Sequence, residues 1–172
     1  MNQDQTPELK FKPVGSRPRG VGGWLAFFVI GQLVLRPLRT WNELNDPRNL
    51  VTPLFETNFP TTANIIGVER ALIIGLTAFG IVVGLSLWKV RTPFSAKLTK
   101  IFLVVNPIIF LLSAVAFKFS DLPPKAQNEV MQHGLFETGV LTAVCLVWFL
   151  YFTKSERVRA TYYDEGDSLV LR

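Results

Sequence analysis

The residues of this sequence that could do chemistry are few, and most are polar groups set into or beside apolar runs. An ionisable side chain in hydrocarbon is costly, so each one asks for a partner. Arg36 closes the first apolar run, and Glu69 and Arg70 open the second. Placed at similar depth on neighbouring helices, Arg36 and Glu69 make a geometrically natural pair, and the sequence leaves open whether it forms. Such a pair is either a staple that fixes helix packing or a gate built on a proton-sensitive carboxylate. Gln32, Thr77 and Asn106 fall nearer the middle of their runs. They serve either as interhelical hydrogen-bonding groups or as a small polar site at mid-depth, of the kind transporters have. Asn106 precedes Pro107, which removes a backbone donor and predicts a kink there.

Other chemistry finds little support. His133, the only histidine, shares a helix face with Glu129 and Glu137. Three residues at that spacing on one straight helix stretch over about 12 Å, too far to hold one ion together. Cys145, the only cysteine, lies in an apolar run and reads as a packing residue. There is no nucleophile elbow, phosphate-binding glycine loop, zinc-protease motif or paired-cysteine motif. The expectation is a non-enzymatic protein without catalytic residues, cofactor or metal.

The elements that carry these groups are four charge-poor runs. The plainest is residues 71–88, closed by Glu69 and Arg70 on one side and by Lys89 and Arg91 on the other. A helix of that length, with its flanks, crosses a hydrocarbon core roughly 30 Å thick. The spacing predicts an all-α polytopic membrane protein with four transmembrane helices at about 21–38, 66–89, 99–118 and 135–153. Residues 1–20 read as a basic tail and 154–172 as a polar, loosely ordered tail. No cleavable signal peptide is expected, because the first apolar run starts only after twenty residues. Gly80-Ile-Val-Val-Gly84 and Ala71 with Gly75 are small-xxx-small patterns that let helices approach closely, within the bundle or with another chain.

Basic residues orient the spans. The two tails and the 89–100 turn together hold twelve Lys and Arg, and the other two connections hold six. Lys and Arg stay on the cytoplasmic side during insertion, so both tails are expected to be cytoplasmic. That face should also attract anionic lipid head groups. Insertion topology accounts for the bias, and no nucleic-acid partner is expected.

Two segments carry a resemblance. Gly20-Val-Gly22-Gly23-Trp24-Leu25, followed by Pro37, opens the first run. Val147-Trp148-Phe149-Leu150-Tyr151-Phe152-Thr153-Lys154-Ser155-Glu156-Arg157-Val158-Arg159-Ala160-Thr161-Tyr162 closes the last. Together they resemble the two signatures of a family of small bacterial inner-membrane proteins, numbered 2569 among domains of unknown function. Glu69 falls where that family has an acidic residue early in the second span. Where the family has a basic residue leading into the fourth span, this chain has Glu137. The resemblance implies a four-helix protein of the bacterial inner membrane and brings no reaction or ligand with it.

Both signatures are expected on the cytoplasmic face. Gly22, Gly23, Trp24, Trp148, Tyr151, Arg157 and Arg159 would then form one surface that docks a partner. The first functional expectation is an interaction protein or accessory subunit of a membrane assembly. The alternative is a small transporter or channel component that uses Gln32, Glu69, Thr77 and Asn106 and acts as an oligomer.

Overall fold

The computed structural model describes residues 20–45 and 52–163, and every regular element among them is helical. The basic tail up to Arg19, Arg48 in the long connection and the acidic end of the C-terminal tail lie outside the described residues. The chain starts with α1 (Trp24–Ile30), passes through a π-helical turn (Gly31–Leu35) and continues as α2 (Arg36–Asn45). These three pieces form one helical rod. A short α3 (Pro53–Asn58) leads to α4 (Pro60–Lys89). Then come α5 (Pro93–Ala116), a 3-10 turn (Phe117–Phe119), α6 (Pro124–Lys154) and α7 (Glu156–Tyr162).

Proline sets the starts. Pro53, Pro60, Pro93 and Pro124 each occupy the first turn of a helix, where a missing amide hydrogen costs nothing. Asp121 supplies acceptors that α4 lacks. It takes hydrogen bonds from the Thr61 amide at 3.0 Å, from the Thr62 amide at 3.0 Å and from the Thr62 hydroxyl. α6 begins just after Asp121, at Pro124, yet the helix that Asp121 caps is its neighbour α4.

Among the described residues three helices, α4, α5 with its 3-10 turn, and α6, are long and apolar enough to cross a membrane. The expected count of four is corrected to three on this measure. The rod formed by α1 and α2 is long enough, at about 33 Å for 22 residues. Its apolar part stops at Leu35, however, and Arg36, Arg39 and Glu43 follow. All the helices also run beyond the expected spans, by eleven residues at the start of α6.

Neighbouring helices pack antiparallel in a clear register. Along the rod, Leu33 meets Gly84, Arg36 meets Gly80 and Thr40 meets Thr77. Between α4 and α5, Ser86 meets Ser95 and Phe79 meets Phe102. Between α5 and α6, Asn106 meets Cys145 and Ala114 meets Gly134. The turn at Arg91 thus marks one end of the bundle and Asp121 the other. The Gly80–Gly84 pattern serves contacts within the bundle, because both glycines are buried under the rod. Ala71 and Gly75 are exposed instead.

The core is concentrated at the Arg91 end. Leu25, Phe28, Val83, Leu87, Phe102, Phe152, Val158 and Tyr162 are buried there. Two of these belong to α7, so residues 155–162 pack into the bundle. This corrects the expected loose tail for residues 155–162. The helix breaks at Ser155, whose backbone is extended, and α7 turns back. The Tyr162 hydroxyl donates to the Leu87 carbonyl at 2.8 Å, a carbonyl near the end of α4 that the helix itself leaves unpaired.

Candidate functional site

The structure sorts the expected site residues into three places. The first is a polar cluster in the middle of the bundle. Arg36 Nη2 donates to Asn106 Oδ1 at 2.7 Å, and the guanidinium carbon lies 4.8 Å from the centre of the Phe102 ring. Asn106 is buried, and its amide nitrogen lies 3.9 Å from Cys145 Sγ. Gln32 Oε1 is buried over Gly80 without a hydrogen-bond partner among the described residues. The Thr40 and Thr77 hydroxyls are 2.8 Å apart. Gln32, Arg36 and Thr40, spaced four apart, all face α4. A π-helical turn closes i to i+5 bonds and is wider than an α-turn, so it holds residues four apart on one face.

The Arg36–Glu69 pair that the sequence left open is not formed. Its premise was a first helix ending near residue 38, which placed Arg36 at the level of Glu69. The rod runs on to Asn45, so Arg36 lies opposite Gly80. Glu69 is eleven residues, about 16 Å, further along α4. The cluster therefore holds Arg36, Gln32 and Asn106 together and excludes Glu69.

The second place is an open-sided cavity of about 710 Å³ towards the Asp121 end. The rod, α4, α5 and α6 all line it, with α3 at its rim. Ile66, Ile73, Phe110 and Phe117 give it apolar walls, and Arg39, Glu43, Glu69, Arg70, His133 and Glu137 bring charge to it. Arg39 and Glu43 are joined at 2.7 Å. His133 Nε2 lies 3.4 Å from Glu137 Oε1. Glu69 is half-buried and has no hydrogen bond or ion pair among the described residues. Glu137 and Glu43 are close enough to repel it. Among the described residues no group of three His, Cys, Asp or Glu is arranged to hold a metal ion, so the stripe of Glu129, His133 and Glu137 makes no such site.

The third place is the joint between the two ends of the chain. Gly23 has φ +57° and ψ −134°, a backbone that side chains resist. Arg157 Nη1 lies 2.8 Å from where a Cβ of Gly23 would sit and 3.3 Å from that of Gly22. The Gly20 amide donates to Thr161 Oγ1 at 3.1 Å. Trp148 touches Trp24 and Tyr151 edge-on, at 6.4 and 5.7 Å between ring centres, and lies 4.8 Å from Phe28. Gly22, Gly23, Trp24, Trp148, Tyr151 and Arg157 thus come together. Arg159 does not join them. It lies two residues on, about 200° round the helix, and is exposed. Burial pushes the Tyr162 phenol well above its ordinary range, with Arg91 opposing and Tyr151 adding to the shift.

Sequence reasoning missed the cavity. Arg39, Ile66, Phe110 and Phe117 gave no signal, because four helices contribute one or a few side chains each. Asp121 and Tyr162 were also missed. Desolvation pulls the Asp121 carboxyl upward, but hydrogen bonds from the Thr62 hydroxyl and from the Thr61, Thr62 and Asp121 amides outweigh it and hold the group below the ordinary carboxylate range.

No curated protein and no solved structure matches the chain. A family model does, over residues 18–163, which begins just before the glycine hinge and ends just after α7. The joined ends and everything between them are therefore one family unit, and the chain belongs to the family described as protein of unknown function (DUF2569).

Proposed function

We propose that this is a non-enzymatic protein of the bacterial inner membrane that binds a small molecule in the cavity beside Glu69. The rod lies in the membrane as a fourth helix, in support of which it packs along α4 from Leu33 to Thr40. Both tails are cytoplasmic, so the cavity opens towards the outer side. One observation carries the binding role. A half-buried carboxylate with no partner among the described residues faces a cavity of drug-sized volume with apolar walls. The test is to extract the full-length protein directly into lipid nanodiscs and identify retained small molecules by native mass spectrometry. A stoichiometric passenger is expected, and Ile73→Trp, which fills the cavity, should release it. No passenger, or one indifferent to Ile73→Trp, would remove the proposal.

A second reading, an accessory subunit that packs against a partner helix, is favoured by a different observation. Gly67, Ala71 and Gly75 form an exposed line of small residues on α4, and a Cβ added at Gly67 or Gly75 would meet nothing. Close approach of another helix suits such a face. Loss of a copurifying protein in Gly75→Leu, but not in Ile73→Trp, would select this reading.

A further inference from the structure

Glu69 borders two spaces. Besides the charged cavity, it lines a second groove of about 390 Å³ on the flank between α4 and α5. That groove is walled largely by apolar side chains, among them Ile65, Val68, Leu72 and Leu112. Glu69 is the one residue common to both linings. The carboxylate therefore lies where an apolar groove on the flank of the bundle meets a cavity that holds charge.

The charge of the cavity has a sign. Among the described residues, two arginines and three glutamates line it, a sum of one negative charge. Arg39 is engaged by Glu43. Glu69 has no such partner among the described residues, and its like-charged neighbours Glu43 and Glu137 favour a cation there. An anion would meet three carboxylates, and a neutral solute would leave Glu69 unpaired in a half-buried place. A lone metal ion is disfavoured, since no three ligands converge among the described residues.

We infer that the bound molecule is an organic ammonium ion on an apolar body, with its ammonium at Glu69 and its apolar part in the groove along Val68, Leu72 and Leu112. This rests on the cavity reading above and names the ligand class for it. The same chemistry is offered by a free amphipathic amine and by the head group of an aminophospholipid.

The experiment uses the full-length protein in nanodiscs of phosphatidylglycerol alone, which contains no ammonium. Binding of radiolabelled octylamine and of 1-octanol is measured by equilibrium dialysis at pH 7, with empty discs subtracted. Octylamine should bind saturably, and at least about tenfold more weakly to Glu69→Gln. Glu69→Asp should keep the preference for the amine, which separates charge from folding. Leu72→Trp, which fills the groove, should weaken the amine without removing the charge. Adding phosphatidylethanolamine then distinguishes the sources. Displacement of octylamine, with phosphatidylethanolamine retained on the protein in native mass spectra, identifies the lipid head group. Undiminished octylamine binding identifies a free amine. If 1-octanol binds as well as octylamine, or Glu69→Gln binds the amine unchanged, the ammonium assignment is overturned while binding in the cavity stands. If neither probe binds saturably and no passenger is retained, both fall.

Discussion

Arg36 hydrogen-bonds Asn106 across 2.7 Å, from the rod to α5, and leaves Glu69 about three helical turns away. The guanidinium is thus held by a neutral amide and an aromatic face, and no carboxylate pairs with it among the described residues.

Removing that acceptor strands a charge. Asn106→Leu is expected to cost about 1.5–3 kcal/mol, the usual range for a hydrogen bond to a charged group. Arg36→Leu with Asn106→Leu should cost less than Asn106→Leu alone, because the double variant has no charge left to satisfy. Unfolding of the three proteins in one detergent mixture checks this, and equal losses in both variants would refute it.

Gly23 is constrained twice, by its backbone and by Arg157. Gly23→Ala should lower stability by roughly 1–3 kcal/mol, the cost of forcing a side chain into a glycine conformation. Gly22→Ala, with more room and no positive φ, should cost less. Adding Arg157→Ala should relieve only the steric part of the Gly23 effect. Thermal unfolding of the purified variants reads all three.

The two small-residue patterns on α4 should respond differently to the same change. A Cβ on Gly84 would lie 2.9 Å from Leu33 Cδ2, so Gly84→Leu overpacks the rod and should cost about 1–3 kcal/mol. Gly75→Leu faces open space and should stay within about 0.5 kcal/mol in the isolated chain. Comparable losses at both sites would mean that the rod does not pack where it is described.

Tyr162 ties α7 to α4. Tyr162→Phe should cost about 1 kcal/mol and expose the segment after Ser155 to limited proteolysis. The phenol also makes an alkaline limit. Its folded pKa is raised, so above about pH 10 the unfolded chain releases a proton that the folded chain keeps, and stability falls with rising pH. Tyr162→Phe should lack this part of the alkaline loss, which unfolding curves between pH 9 and pH 11 will show.

Asp121 sets a limit at the acid side. Its folded pKa is lowered, so its contribution is present above the ordinary carboxylate range and is lost as pH falls through and below it. Asp121→Asn should melt at a lower temperature at neutral pH and converge with the original protein below about pH 4. A melting difference that persists unchanged into acid would show that the charge is not what caps α4.

By itself the sequence determined the class of the molecule. Long apolar runs between charges can only be helices of this kind, so α4, α5 and α6 were legible from hydropathy, and their starts from Pro60, Pro93 and Pro124. The two end signatures were legible because they are continuous in sequence. Depth and register were not. Arg36 was placed by the length of its apolar run, but a helix does not stop where its apolar residues stop, and the rod continues for nine residues beyond Arg36. That extension moves Arg36 from Glu69 to Asn106. Tertiary structure alone decided the cavity, since its walls come from four long helices that contribute separately. It alone decided which glycines pack and which stay open, because both patterns on α4 read the same until the rod covers one face. It alone showed the fold-back of α7, where a single extended residue, Ser155, converts the end of a span into a buried helix. Periodicity reports the face of a helix, whereas function here depends on which faces meet.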